Sequence, residues 1–212
     1  MTADIIVLYV FVILAYLLGS IPASVWIGRK FYNKDVRKFG SGNAGATNTA
    51  RVLGYKTGLL VLLFDIFKGW LPVYASIWWI NWELSASLKE FIPVIVGAAA
   101  TIGHILPIYL QFKGGKGVAT IAGVVLAIFP KAFLTCLIIF TIVVLITRYV
   151  SLGSISVAIS FPFLLFFVFQ DQPLSLKILS IVGASILIYT HRKNIRNLLK
   201  GKEKKFKAKK IK

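Results

Sequence analysis

The residues best equipped for chemistry fall in two glycine-rich stretches and one histidine-led turn. The first stretch is Gly40 to Asn48, GSGNAGATN, preceded by Asp35, Arg37 and Lys38 and followed by Arg51. The second is Phe112 to Thr120, FKGGKGVAT, with His104 and Pro107 just upstream. Successive glycines let consecutive backbone N–H groups face a single anion, and neighbouring Lys or Arg add positive charge, which together make a phosphate nest. The candidate ligands of the first stretch are Ser41, Gly42, Asn43, Gly45, Thr47, Asn48 and Arg51. In the second they are Lys113, Gly114, Gly115, Lys116, Gly117 and Thr120, with a helix opening at Val118 and His104 close by. Either stretch alone also fits a tight turn between helices. Two of them on one side of a membrane, as argued below, point to bound phosphate.

Other patterns narrow the chemistry further. The second stretch does not fit GxxxxGK[ST], so nucleotide hydrolysis is not indicated. Gly40, Gly42 and Gly45 satisfy GxGxxG, with Asp65 20 residues beyond, but that fingerprint needs a preceding strand in a soluble parallel sheet. The histidine turn offers His191, Arg192 and Asn194 as donors, and Ser151 and Ser154 follow Arg148 in a further polar segment. Neither serine has a base nearby in sequence, which favours direct transfer over a covalent enzyme intermediate. The single Cys136 lies in an apolar run without a partner, so no disulfide framework, metal site or cofactor is expected. Asp65 and Lys68 stand three apart on one helix face, where each alone would cost about 2.5 to 3.5 kcal/mol at the bilayer centre. They read first as a structural ion pair and second as a substrate contact.

The elements that must hold these residues are membrane helices. Of the 212 residues 58% are hydrophobic and 15% charged, with a mean hydropathy of +0.81, a balance that calls for lipid as the main solvent. Apolar runs recur at Ile5 to Leu18, Gly58 to Ile80, Phe91 to Leu110, Val118 to Phe129, Ala132 to Thr147, Ile155 to Phe169 and Ile178 to Tyr189. The two runs flanking Pro130 could be one kinked helix or two, and charge decides between them. Seven spans put Gly28 to Thr57, Gln111 to Gly117, Arg148 to Ser154 and His191 to Lys212 on one side, with 21 of the 25 Lys and Arg residues. Six spans place the basic end opposite the basic first loop, against the positive-inside rule. The expected fold is therefore an all-α integral membrane protein of seven transmembrane helices, with the N-terminus outside and the C-terminus cytoplasmic. One helical domain covers 1–199, and a basic tail covers 200–212. Asp4, and the lack of Lys or Arg before Ile5, argue for a first permanent span rather than a cleaved leader.

The net charge of +18 follows largely from this topology and from the eight Lys between Lys200 and Lys212. No base-reading module accompanies it, so nucleic acid is not an expected partner, whereas anionic lipid is. An organophosphate or anion transporter is the alternative function. Its signature, glycines and charges interrupting spans at the midplane within inverted repeats, is not what this sequence carries.

Taken together the motifs become specific: GSIPASVW from Gly19, DVRKFGSGNAGATNTAR from Asp35, DIFKG from Asp65, HILPIYLQFKGGKGVAT from His104, RYVSLGSI from Arg148 and HRKNIRNLLKGKE from His191. The chain resembles the bacterial acyl-phosphate-dependent glycerol-3-phosphate acyltransferases from Gly19 to Glu203. The resemblance implies acyl transfer from acyl phosphate to the 1-hydroxyl of sn-glycerol 3-phosphate, giving lysophosphatidic acid and phosphate in phospholipid synthesis. It implies an inner-membrane location, an active site facing the cytoplasm, and supply from an acyl-phosphate-forming enzyme. Carried over by motif position, Ser41, Arg51, Lys116, His191 and Asn194 line that site. Asn197 stands where the family usually has a basic residue, and Ala23 and Ser24 replace the commoner Phe-Gly. The sequence has no HxxxxD pair, and its inner acids are only Asp35 and Glu203, which leaves a substrate phosphate oxygen or His191 to accept the hydroxyl proton.

Overall fold

The computed structural model describes residues 3–83 and 89–206, and the regular structure among them is entirely helical. The tail beyond residue 206, used in the charge argument above, lies outside the described residues. The helices are α1 (Ala3–Gly19), α2 (Ala23–Tyr32), α3 (Ala46–Leu53), α4 (Tyr55–Glu83), α5 (Ile92–Ile105), α6 (Val118–Ile128), α7 (Pro130–Thr147), α8 (Val150–Phe163), α9 (Leu174–Thr190) and α10 (Arg192–Leu199). Short 3-10 turns occupy Val36–Lys38 and Ile108–Leu110, and a π-helical stretch, Leu164–Val168, extends α8 just past Pro162.

Punctuation follows residue chemistry. Pro22 precedes α2, and Pro130 opens α7, where its missing N–H costs nothing. The runs on either side of Pro130 are thus two helices. Gly54, at φ 103°, lets the chain pass from α3 directly into α4.

Among the described residues five stretches are long and apolar enough to cross a membrane: Ile5–Tyr32, Tyr55–Trp79, Ile92–Leu110, Pro130–Thr147 and Val150–Val168. A sixth arises if α9 and α10, bent by 60° at His191, count as one span. Helix α6 has 11 residues, about 16 Å at 1.5 Å per residue, against a hydrocarbon core of about 30 Å.

The helices form two compact units, one of residues up to Ile128 and one of Phe129–Phe206. In the first, α4 packs along α6, α3 and α5, and α1 along α5. Glycines make these contacts close. A methyl group at Gly69 or Gly123 would strike backbone carbonyls of Thr120 or Ile66, and one at Gly19 or Gly103 would strike those of Ala100 or Tyr16. Such small residues serve helix association in lipid, where tail and side chain are equally apolar and backbone approach replaces hydrophobic drive. In the second unit α7 packs on α8 and α8 on α9.

Candidate active site

The first glycine-rich stretch leads into α3, and its loop is shaped from inside by Asn48. That side chain is 1% exposed. Its Nδ2 donates to the carbonyls of Val36 (2.8 Å), Asn43 (3.0 Å) and Phe39 (3.2 Å), and its Oδ1 accepts from the backbone N–H of Ser41 at 2.8 Å. Asn48 therefore ties the loop to itself. Gly40 (φ 65°) and Gly42 (φ 76°) take left-handed conformations there, and a methyl at Gly40 would collide with the Asn48 amide oxygen. Gly45 caps α3, whose helical residues include Thr47 and Arg51, both half-buried.

The second stretch leaves α5 and doubles back on its C-terminus. The N–H groups of Gly114 and Gly115 donate to the carbonyls of Ile105 and His104, both at 3.1 Å. Gly117, at φ 89°, turns the chain into α6, where Thr120 is buried with its hydroxyl unpartnered. Lys113 is exposed and Lys116 half-buried.

These two loops meet. An open groove is lined by Asp35, Arg37, Lys38, Gly42, Lys113 and Gly114, so both glycine-rich loops contribute to one basic surface. Sequence reasoning left Asp35, Arg37 and Lys38 out of the candidate site, although they adjoin its first loop. Asp35 organises the groove's cationic edge. Its Oδ2 pairs with Arg37 Nη2 at 2.8 Å and Arg29 Nη2 at 2.9 Å, while its Oδ1 accepts from the N–H and Nε of Arg37. The hydrogen-bonded Arg37 guanidinium holds the Asp35 carboxyl far below the usual carboxylate range against a partial burial that acts the other way. The same bond raises the Arg37 guanidinium above its ordinary value.

Against the second loop lies a small cavity bordered by Asp65, Lys68, His104, Gly114 and Gly115, with Pro22 and Ala23 also in its wall. Lys68 Nζ is 2.8 Å from Asp65 Oδ1 and donates to the carbonyl of Ile21 at 3.0 Å. His104 Nδ1 faces the same Asp65 oxygen at 3.5 Å without making a hydrogen bond.

Within the second unit, polar side chains gather around Glu203. Its Oε1 accepts from Ser151 Oγ and from Asn194 Nδ2, both at 2.7 Å, and its Oε2 from Asn197 Nδ2 at 3.4 Å. The chain is anchored nearby, because the N–H of Phe206 donates to the carbonyl of Arg148 at 2.7 Å. Glu203 was legible only as an isolated acid in a lysine-rich run. That oddity was the available signal. Ser154, by contrast, spends its hydroxyl on the carbonyl of Val150 in its own helix (3.0 Å). Arg192 lies over the ring of Tyr189, 4.4 Å from its centroid, and donates to that residue's carbonyl.

His191 sits at the bend between α9 and α10 and is 2% exposed. Its Nδ1 lies 2.7 Å from the carbonyl of Leu187. A carbonyl can only accept, so Nδ1 carries the proton, and in the neutral ring Nε2 is the basic nitrogen.

Residues 9–201 match the family model described as glycerol-3-phosphate acyltransferase. The chain belongs to the glycerol-3-phosphate acyltransferase family. It is 43% identical over 199 residues to the glycerol-3-phosphate acyltransferase of Fusobacterium nucleatum, covering 94% of this chain and 98% of that one. The Macrococcus caseolyticus enzyme of the same description is 46% identical over 198 residues, covering 93% and 96%. The crystal structure of PlsY (YgiH), an integral membrane glycerol 3-phosphate acyltransferase, in its glycerol 3-phosphate form superposes with a TM-score of 0.85 at 39% identity, over 94% of this chain and 96% of that one. Its lysophosphatidic acid form gives a TM-score of 0.83 at the same identity. This acyltransferase is accordingly a multi-pass membrane enzyme.

Proposed function

We propose that this acyltransferase takes its acyl group from acyl phosphate, places it on the 1-hydroxyl of glycerol 3-phosphate, and works at the cytoplasmic face of the inner membrane. The observation that carries the reading is the groove in which Lys38, Arg37 and Lys113 stand beside the glycines of both loops. Both substrates are phosphorylated, so the first demand on the site is to bring two anions together. Arginine and lysine donors meet it through charge-assisted bonds of about 1.5 to 3 kcal/mol each. Seven crossings, with the N-terminus outside and the loops at 28–57 and 111–117 inside, are the topology that best obeys the charge distribution. In that topology α6 crosses as a short helix supported by its glycine contacts with α4.

In the reaction we infer, the hydroxyl oxygen attacks the acyl carbonyl carbon, and the bond from that carbon to the bridging phosphate oxygen breaks. Inorganic phosphate leaves carrying the bonding pair. Lys116 suits the charge that grows on this leaving group, the Gly114 and Gly115 amides being committed to the carbonyls of Ile105 and His104, while Ser41 and Arg51 serve the phosphate of the acceptor. The hydroxyl proton passes to a phosphate oxygen of the substrate. His191, whose Leu187 contact leaves Nε2 as its basic nitrogen, is the alternative acceptor, and Asn194, steadied by Glu203, helps orient the acceptor. Ser151 is committed to Glu203, which favours a positioning role over nucleophilic attack. The acyl chain lies against the lipid-facing helices.

The test uses purified protein in detergent or lipid, given glycerol 3-phosphate with either acyl phosphate or acyl-CoA. Release of phosphate matched by acylated product from acyl phosphate alone is the expected result. Turnover with acyl-CoA only would refute the donor assignment. Replacing His191 by Gln separates the two proton acceptors, since unchanged kcat would eliminate the histidine as base.

A further inference from the structure

The Asp65, Lys68 and His104 cluster is more elaborate than a structural ion pair requires. All three side chains are at least nine-tenths buried. Their contacts run in one direction, from the carbonyl of Ile21 through Lys68 and Asp65 to the imidazole of His104, and that ring lies directly under Gly115. A methyl group at Gly115 would meet His104 Nε2, and one at Gly114 would meet the carbonyl oxygen of His104 and the ring of Pro107. The N–H of Gly115 in turn donates to that same carbonyl. Ring, carbonyl and glycines form one fitted surface, and Lys113 and Lys116 flank it in sequence.

We infer that Asp65, Lys68 and His104 are positioning residues, which set the height and orientation of the loop at 113–117 by supporting Gly115 from below. The inference rests on the reading of that loop as a phosphate holder. A buried ion pair adds little net stability compared with apolar residues of like shape, so retention of three polar groups here is better explained by what they orient. His104 Nδ1 makes no hydrogen bond and stands 3.5 Å from Asp65 Oδ1, while Nε2 is the ring atom that faces Gly115.

The experiment is a mutant cycle on the purified full chain, with kcat and KM measured for each substrate and thermal unfolding followed in parallel. Gly115→Ala alone should raise KM for one phosphorylated substrate about tenfold, because the added methyl displaces the loop from the ring, and contacting residues couple at this level. His104→Ala alone should raise the same KM several-fold. The double variant should bind that substrate better than Gly115→Ala alone, since the space vacated by the ring accepts the methyl. Asp65→Asn should shift the same KM in the same direction as His104→Ala.

Lys116→Ala separates this idea from its foundation. If Lys116→Ala leaves every constant unchanged, the phosphate reading of the loop fails. If it weakens one substrate while the double variant is no better than Gly115→Ala, only the positioning inference falls. Should the alanine variants not fold, His104→Gln decides. It keeps a polar side chain of reduced bulk, and wild-type KM for both substrates would overturn the proposal.

Discussion

Replacing Glu203 is the most direct probe of the second unit. The carboxylate accepts two bonds of 2.7 Å, from Ser151 and Asn194, and a weaker one of 3.4 Å from Asn197. Hydrogen bonds to a charged group contribute about 1.5 to 3 kcal/mol each, so losing the two short ones has a ceiling of about 3 to 6 kcal/mol. Glu203 and Asn194 are half-buried, so water recovers part of this, and about 2 to 4 kcal/mol is expected for Glu203→Ala. Ser151 cannot recover as much, being buried. For a chain of 212 residues that loss corresponds to a fall in Tm of about 4 to 16 °C. Asn194 loses its orientation at the same time, and misplacing a positioned group by about 1 Å can cost about 100-fold in rate. Glu203→Gln should lie between, because an amide oxygen still accepts one of the two bonds without charge. The assays are Tm by fluorescence in detergent and kcat/KM with both substrates. Wild-type values of both for Glu203→Ala would refute the idea that this carboxylate holds the cluster together.

Further expectations follow from the first unit and from α7. Asn48→Ala strips partners from carbonyls and one N–H of the first loop; with two amide hydrogens and one accepting oxygen lost, about three bonds at about 0.5 to 1.5 kcal/mol each should cost about 1.5 to 4.5 kcal/mol, with a raised KM for a phosphorylated substrate. The Asp35 carboxyl is lowered in the folded protein, so its stabilising contribution is fully present above the unfolded value of 3.8 and is lost only as pH falls below that value. Asp35→Asn should therefore leave the slope of Tm against pH unchanged between about pH 5 and 8, with any difference from wild type in slope confined below about pH 4. Lys68→Met leaves Asp65 buried without its cation and should destabilise by about 3 to 5 kcal/mol, whereas the double change with Asp65→Asn should be milder, as read from Tm. Cys136→Ala, in α7 and away from the polar clusters in sequence, should keep wild-type kcat.

The helices were legible because lipid imposes one rule along the chain. Every apolar run named from hydropathy contains a helix, and the break at Pro130 falls where proline chemistry puts it. The length of α6 was less legible. Its apolar run reads as a span, yet the helix ends at Ile128 because Phe129 leaves helical geometry before Pro130. The glycine-rich loops were also legible, since consecutive glycines between lysines have few uses. What could not be read was which polar atoms face a ligand and which face the chain. Asn48 satisfies carbonyls five to twelve residues away, Lys68 a carbonyl 47 residues away, and Glu203 a serine 52 residues away. No local pattern encodes those distances.

That division between inward and outward polar groups follows from the solvent. A loop set against membrane helices must satisfy its own backbone before it can offer anything to a substrate, because lipid supplies no donors or acceptors. Asn48 and the carbonyls of His104 and Ile105 meet that demand for the two loops, and they do so with buried groups that gain strength from a low dielectric. The groups turned outward at the groove are then the charged ones, Lys38 and Lys113, both exposed, while Arg37 keeps its charge against Asp35. A phosphate entering the groove meets cations whose supporting loops are already fixed, so little ordering cost remains at binding. The same reasoning explains why a neutral amide, Asn48, and a buried imidazole, His104, hold the loops from within. Both side chains make their contacts inside the fold, Asn48 with loop carbonyls and His104 beneath Gly115, and the exposed charge at the groove is left to Lys38 and Lys113.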